Sequence, residues 1–412
     1  MRHYRRIVVC VLASFLLLAS VVPAQAADSS DTDLAAGWLA RTLASNNDLA
    51  VLPTGGADYA STAYALVGLR AAGVAGDQIG ASARAMAQSG DAFVGTPDQA
   101  DSKATAISLM ILAMVAGGLD PSQYTGSAGT RDLYADLEST IQSDGAVSSM
   151  ATAYGQSFAI LALLSAPGGV PSQVSAWLLE QPCADSTSPG YGGYGFSGPG
   201  SCNDVDPDST ALAVISLVDS GLPVALFGPA RAYLTSVQDS SGGFASSFSG
   251  INANTTGLAV AALNVISPSS PEAGAGVEFL ESLMYDCDPA PSLAGAMALT
   301  SDSRSTTRID PLTDADRAVF FQASAQGIYG FVDKVTTPVA YEAASAAAPD
   351  SSCLTSSASS SPSPGSSISP VASGSSDAPS SAAGNWLWAI GGFLVIILVY
   401  IGWRFLIAAR KS

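Results

Sequence analysis

Histidine is almost missing from this chain of 412 residues, and the single one, His3, stands at the N-terminal edge. Ser–His and Cys–His nucleophiles therefore have no side chain to use, nor does any site built on imidazole ligands. A Ser–Lys pair remains formally open. Basic charge is scarce as well: 16 Lys and Arg stand against 34 Asp and Glu, and charged residues make up 12% of the chain. Arg2, Arg5, Arg6, Arg404, Arg410 and Lys411 sit at the two ends, where no acid accompanies them, so the interior holds 10 bases against 34 acids. Such a field repels a phosphate backbone and sets nucleic acid aside as a partner. Few charges with 48% hydrophobic residues also set a disordered chain aside. No CxxC spacing occurs, so zinc lacks a ligand set, and neither a metal nor a cofactor is expected.

The apolar residues are unevenly spread. Residues 1–6 are basic, 7–22 are apolar, and Ala24-Gln25-Ala26 has the small residues of a cleavage site. This pattern predicts a secretory signal peptide over 1–26. Near the other end, 386–403 is an uncharged run of 18 residues. As a helix it would reach about 27 Å, close to the depth of a hydrocarbon core. Trp386, Trp388, Tyr400 and Trp403 lie where interfacial aromatics belong, and the basic residues beyond them favour the cytoplasmic side. Residues 350–384 are mostly Ser, Pro and Ala, too poor in large apolar side chains to fold. The expectation is a single-pass type I protein of the cell membrane, with its ectodomain outside. Its parts would be a signal peptide (1–26), an ectodomain (27–349), a stalk (350–384), a transmembrane helix (385–408) and a cytoplasmic tail (409–412).

Cysteine is used sparingly. Cys10 falls in the leader, which leaves Cys183, Cys202, Cys287 and Cys353. An even number in an exported chain predicts disulfides. Cys183 and Cys202 flank a Gly-rich loop and are expected to pair. Cys287 and Cys353 would then tie the stalk base to the domain. Closing a loop of this kind is worth about 3 kcal/mol in the chain-entropy view.

Six segments share a pattern of small and branched residues: 62–69, 105–112, 156–163, 210–217, 256–263 and, more weakly, 337–344. Most are apolar on every face, which marks helices covered on both sides. Amphipathic pieces precede most of them, at 37–43, 132–138, 174–179 and 230–237, and Gly-aromatic turns stand at 192–196, 242–244 and 327–331. No such unit buries its apolar face alone, so the units must stack. About six of them predict an all-α fold closed into a ring, an α/α toroid followed by one transmembrane helix. An open solenoid of the HEAT or TPR type is the alternative, although TPR arrays keep a fixed period of about 34 residues that is absent here. The long interval before the sixth segment leaves room for a degenerate repeat near 276–299 and an insertion at 300–313.

This pattern resembles the repeats of the prenyltransferase and squalene-hopene cyclase superfamily, the α/α toroids. Gln238-Asp-Ser-Ser-Gly242-Gly-Phe244 is similar to that family's Q-x3-G-x-W turn, with Phe244 in the Trp position. Asp206-Pro-Asp208-Ser209-Thr210-Ala211 is similar to the class II terpene cyclase motif D-x-D-D-T-A, one Asp short. The resemblance implies that Asp208 would be a proton donor and Asp206 its flanking acid, with Ser209 thinning the carboxylate cluster. Protein prenyltransferases of the same ring need a zinc held by Asp, Cys and His, and thioester domains need Cys-Gly-x-Gln; this chain has neither. Cobalamin binders of the same ring imply ligand binding without catalysis.

The same residues have plainer uses. Asp206, Pro207 and Asp208 are what a helix N-terminus favours. Residues 203–208 imitate the opening of a Ca²⁺ loop, but Ser209 and Ile215 stand where that loop needs Gly and Glu. Tyr191, Tyr194, Phe196, Phe244, Phe248, Tyr329 and Phe331 either pack repeat on repeat or form a binding rim at one end of the ring. The stapled insertion 185–201 is the best rim candidate. Asn254-Thr-Thr256 is a glycosylation sequon by pattern. The expected function is a membrane-tethered extracellular ligand-binding toroid without catalysis. Its ligand would be a small apolar or cobalamin-like molecule, held near a membrane transporter or another surface protein. The alternatives are a divergent class II cyclase using Asp208 and a structural cell-surface or adhesion module.

Overall fold

The computed structural model describes residues 29–126, 129–246, 248–287, 290–307 and 311–332, together with 344–345 and 347–349. The expected leader, stalk and transmembrane run, Cys353 and nearly all of segment 337–344 lie outside these residues. Helices dominate, joined by short turns and three two-residue or three-residue hairpins. The helices are α1 (Ser29–Ser45), α2 (Tyr59–Ala71), α3 (Gly76–Ser89), α4 (Asp91–Val94), α5 (Ala100–Ala116), α6 (Leu133–Glu138) and α7 (Ala153–Leu163). They continue with α8 (Ser172–Leu179), α9 (Pro207–Asp219), α10 (Gly228–Val237), α11 (Ala253–Ile266), α12 (Pro271–Leu283), α13 (Ser301–Thr306) and α14 (Asp314–Gly327). No described helix is long and apolar enough to cross a membrane.

Six of these helices form an inner set. α2 packs on α5, α5 on α7, α7 on α9, α9 on α11, α11 on α14, and α14 returns to α2. Their Ala-, Val- and Leu-rich sequences make this possible, because small side chains let helices be covered on several sides. In α9 every residue from Ser209 to Leu217 is buried, and in α11 every residue from Thr255 to Leu263. The other long helices lie outside this cycle. α1 touches α2 and α14, α3 touches α2 and α5, α8 touches α7 and α9, and α10 touches α9 and α11.

Capping sets where the inner helices begin. Asp58, Thr152, Asp206, Asn252 and Thr313 each accept a backbone N–H from the first turn with a side-chain oxygen. A second device locks five of the six to the turn before them. The N–H of Ala50 donates to Thr62 Oγ1 at 2.9 Å, that of Tyr194 to Thr210 Oγ1 at 2.9 Å, and that of Phe244 to Thr256 Oγ1 at 3.0 Å. Gln156 Oε1 takes the N–H of Val147 at 2.7 Å, and Ser324 Oγ that of Met297 at 2.8 Å. The Thr or Gln that opens most repeat segments is therefore a buried acceptor with a fixed partner. Gln238 adds a link between repeats: its Nε2 donates to Gly242 O and to Glu272 O, both at 2.8 Å.

The sixth repeat is a correction. The inner helix that closes the cycle is α14, where Ser324 receives the turn's N–H; segment 337–344, expected in that place, lies almost wholly outside the described residues. Helix α14 runs about two turns further toward its N-terminus than the others, which hides the shared pattern. Helix α3 was also not expected, since its Gly-, Ala- and Ser-rich stretch carries few large apolar residues. The seam between first and last repeats is well tied. Trp38 of α1 packs on Phe321 of α14 at 6.1 Å between ring centroids, and Thr32 Oγ1 donates to Phe331 O at 2.9 Å. Gly295 has φ +91° and lies against the backbone of Leu34, where a Cβ would collide.

Candidate functional site

The locking hydrogen bonds put five of the inner helices in one register, and that register picks out one set of equivalent positions. Two residues before Thr62, Gln156, Thr210, Thr256 and Ser324 stand Ala60, Tyr154, Asp208, Asn254 and Gln322. All five are half-buried, although they lie in helices that are otherwise largely buried. Tyr154 and Asp208 lie deep enough for burial to be the main influence on their ionisation, and still keep accessible surface. They line a recess at the end of the cycle where the inner helices begin. Neighbouring first turns meet there: Thr255 of α11 donates to the Asp208 carboxyl, and Asp101 of α5 accepts from Ser149 N–H at 2.8 Å, just before α7.

The recess has a floor. Tyr154 of α7 bonds with Tyr64 of α2 through their hydroxyls at 3.0 Å, and the Gln326 amide of α14 is turned toward the Tyr154 oxygen. Helices α7 and α14 are opposite members of the cycle, so this approach reaches across it. Tyr329 OH donates to Tyr64 O at 2.9 Å, and Phe158 packs against both tyrosine rings, at 5.7 and 5.1 Å. Gln322 Nε2 donates to Asp58 Oδ2 at 3.0 Å, which also accepts from Ser61. Burial pushes the Tyr64 phenol up to about 12, and raises that of Tyr154 well above its ordinary value. Both therefore stay neutral hydroxyls at physiological pH.

Asp208 is the unusual group. Burial first, then the nearby charge of Asp206, push its carboxyl up to about 7, against the opposing hydrogen bond from Thr255. Its Oδ1 is buried and has no hydrogen-bond partner. Asp206 is spent on the helix: its Oδ1 accepts the N–H of Asp208 at 2.9 Å and of Ser209 at 3.3 Å. The two acids of the cyclase-like motif are thus brought together, one as a cap and one facing the recess.

The expected aromatic residues separate into two groups. Tyr194, Phe244, Tyr329 and Phe331 are buried in the core and pack between repeats, so they do not line a rim. Tyr191 is exposed, and half-buried Phe196 meets exposed Phe248 edge-on at 5.5 Å. Cys183 and Cys202 form the expected disulfide, with Cα atoms 4.6 Å apart, and close the loop that carries Tyr191 and Phe196. Cys287 is disulfide-bonded as well; its expected partner Cys353 lies outside the described residues. Exposed Leu52, Met150 and Phe248 also sit in loops that lead into inner helices, at the recess end. A surface hollow lined by Arg84, Met114, Gln123 and Thr125 contains none of the expected site residues. Among the described residues no cluster of His, Cys, Asp or Glu could hold a metal ion.

Tyr64, Tyr154, Gln322 and Gln326 were not singled out in the sequence, and Asn254 only as a sequon. The signal was present: aligning the repeats on their locking residue places Tyr154, Asp208, Asn254 and Gln322 in one column. Compared with known proteins, the chain matches no family model and no curated protein.

Proposed function

We propose that this chain is an exported, membrane-tethered α/α toroid that binds an extracellular ligand at one end of its ring and does no chemistry on it. The observation that carries this reading is the Tyr64–Tyr154 hydroxyl pair at 3.0 Å, with the Gln326 amide of the opposite inner helix turned toward the Tyr154 oxygen. A floored ring offers a shallow recess and a loop rim rather than a deep chamber. The stapled loop with Tyr191 and Phe196, beside Phe248, supplies the apolar part of that rim. The tether is read from the apolar run at 386–403.

The cyclase reading has one observation in its favour, a buried carboxyl raised to about 7 at Asp208. Protonating an alkene also requires a long apolar cavity beneath the acid, and here hydrogen-bonded tyrosines occupy that space. Full chain in lipid nanodiscs tests both readings. Thermal shift against corrinoids, lipids and cell-surface polysaccharides should find one class that stabilises the protein, and deleting 185–201 should abolish the shift. A flat response across the panel would sink the binding reading. Incubation with squalene should return no cyclic product; a cyclic product would restore the cyclase.

A further inference from the structure

The segments that lead into α2, α7, α9 and α11 are 46–58, 139–152, 180–206 and 238–252. Each presents one large apolar side chain to solvent. These are Leu52, Met150, Tyr191 and Phe248, with between 39% and 51% of their surface exposed. Among the described residues only Leu179, Val224 and Leu226 are comparably exposed apolar side chains of that size. The four segments lie at one end of the cycle. Phe248 meets Phe196 of the stapled loop at 5.5 Å, which joins 238–252 to 180–206. Tyr154 and Asp208 are each the second residue of their helix, and the Asp208 charge reaches the Tyr154 phenol, whose hydroxyl bonds with Tyr64 of α2. The same four segments hold eight Asp and Glu residues and no Lys or Arg. Asp144, Asp185 and Asp239 among them are exposed. Hydrogen bonds from Thr187 hold the Asp185 carboxyl below its ordinary value, and those from Ser241 do the same for Asp239, so both stay ionised.

We propose that this rim docks a basic polypeptide, an amphipathic segment of a partner protein whose apolar side chains pack on Leu52, Met150, Tyr191 and Phe248 while its Lys and Arg side chains face the rim acids. Single exposed apolar residues scattered over a surface need no partner. Here one stands in each of four equivalent loops, in surroundings that carry acid alone. Met and aromatic side chains are the types that protein contacts bury at their centre, and opposite charge around them steers the encounter. The acids also choose among coverings. A second copy of this chain would set the same charge against itself, and an anionic lipid surface or a nucleic acid would be repelled. The inference rests on the binding reading above and names the partner class for its rim.

Three short peptides of equal length are the probes: alternating Lys and Leu, alternating Lys and Ser, and alternating Glu and Leu. Full chain in nanodiscs of zwitterionic lipid is titrated by calorimetry, and the heat of empty nanodiscs is subtracted. The Lys–Leu peptide should bind saturably, the Lys–Ser peptide tenfold or more weakly, and the Glu–Leu peptide not at all. Added salt should weaken the Lys–Leu peptide. Met150→Ser combined with Phe248→Ser should weaken it tenfold or more, and Asp144→Asn combined with Asp185→Asn severalfold. Leu226→Ser, beyond the other end of α9, should leave it unchanged. All five positions are exposed, and circular dichroism checks that each variant keeps its helices. Absence of saturable Lys–Leu binding would overturn the proposal. Equal binding of the Lys–Ser peptide, or binding indifferent to both rim double variants, would do the same. A panel compound whose thermal shift is lost with 185–201, beside a Lys–Leu peptide that never binds, removes this inference and leaves the binding reading standing.

Discussion

Asp208 shows how one residue can be costly and retained. It stands in the first turn of α9, where a carboxylate is normally welcome beside the helix dipole. Burial and the Asp206 charge override that preference and raise its carboxyl to about 7. The carboxyl is thus harder to ionise in the folded chain than in the unfolded one. Its stabilising contribution is full below the ordinary value of 3.8 and is lost as pH rises through about 7. The titratable groups facing it are Asp206 at its own helix cap, Tyr154 of α7, Tyr233 of α10 and, further off, Tyr64 of α2. Asp208→Asn should therefore stabilise the fold at pH 8 relative to pH 4, by on the order of 2–4 kcal/mol. Denaturant titrations at both pH values check this, and an identical pH slope in both proteins would refute it. Thr256 is the contrasting residue, since its hydroxyl satisfies the buried N–H of Phe244. Thr256→Val should cost about 1–3 kcal/mol in the same titrations, the penalty of an orphaned donor.

At the scale of elements, the turn between outer and inner helices carries the repeat. Gly242 has φ +87°, a conformation L residues rarely adopt, and a Cβ there would meet the backbone of Ala275 on the next outer helix. Gly242→Ala should therefore destabilise by more than the strain of φ alone, roughly 2–4 kcal/mol, seen as a drop in denaturation midpoint. The stapled loop behaves differently, because it is a tip beside the helix cycle rather than a joint in it. Opening the disulfide with Cys183→Ser and Cys202→Ser should cost about 3 kcal/mol or less. Proteolysis should then cut first within 185–201, while the helices keep their circular dichroism. The repeat helices of most units were legible because their apolar pattern is continuous. Helix α3 and helix α14 were not, since one is built from Gly, Ala and Ser and the other joins the cycle midway along its length.

For the whole molecule, the difference between a cycle and an open array is a difference in cooperativity. In an open solenoid each repeat touches only its neighbours, and removing an end leaves a shorter stable array. Here α1 covers the seam between α2 and α14 through Trp38, Thr32 and Gly295's neighbour Leu34. Deleting residues 29–45 exposes both sides of that seam and should unfold the described helices together, in one transition at a much lower midpoint. Two resolved transitions, or a truncated chain nearly as stable as the parent, would show that the seam contributes little. Calorimetry of parent and truncated chains makes the comparison.

By itself the sequence determined that the chain is helical and repetitive, that it carries a single histidine, and which two cysteines staple a loop. These follow from composition, periodicity and local spacing, which act over a few residues. The capping use of Asp206 was legible for the same reason, because Asp-Pro-Asp is a helix start wherever it occurs. The tertiary structure alone decided that Tyr194, Phe244, Tyr329 and Phe331 are core and that Asp208 faces the middle. It also brought Tyr154 beside Gln326, far apart in sequence. Which face of a fully apolar helix turns inward has no local signature, because burial on all sides erases amphipathicity. That choice is made by the hydrogen bonds that lock each helix to its preceding turn.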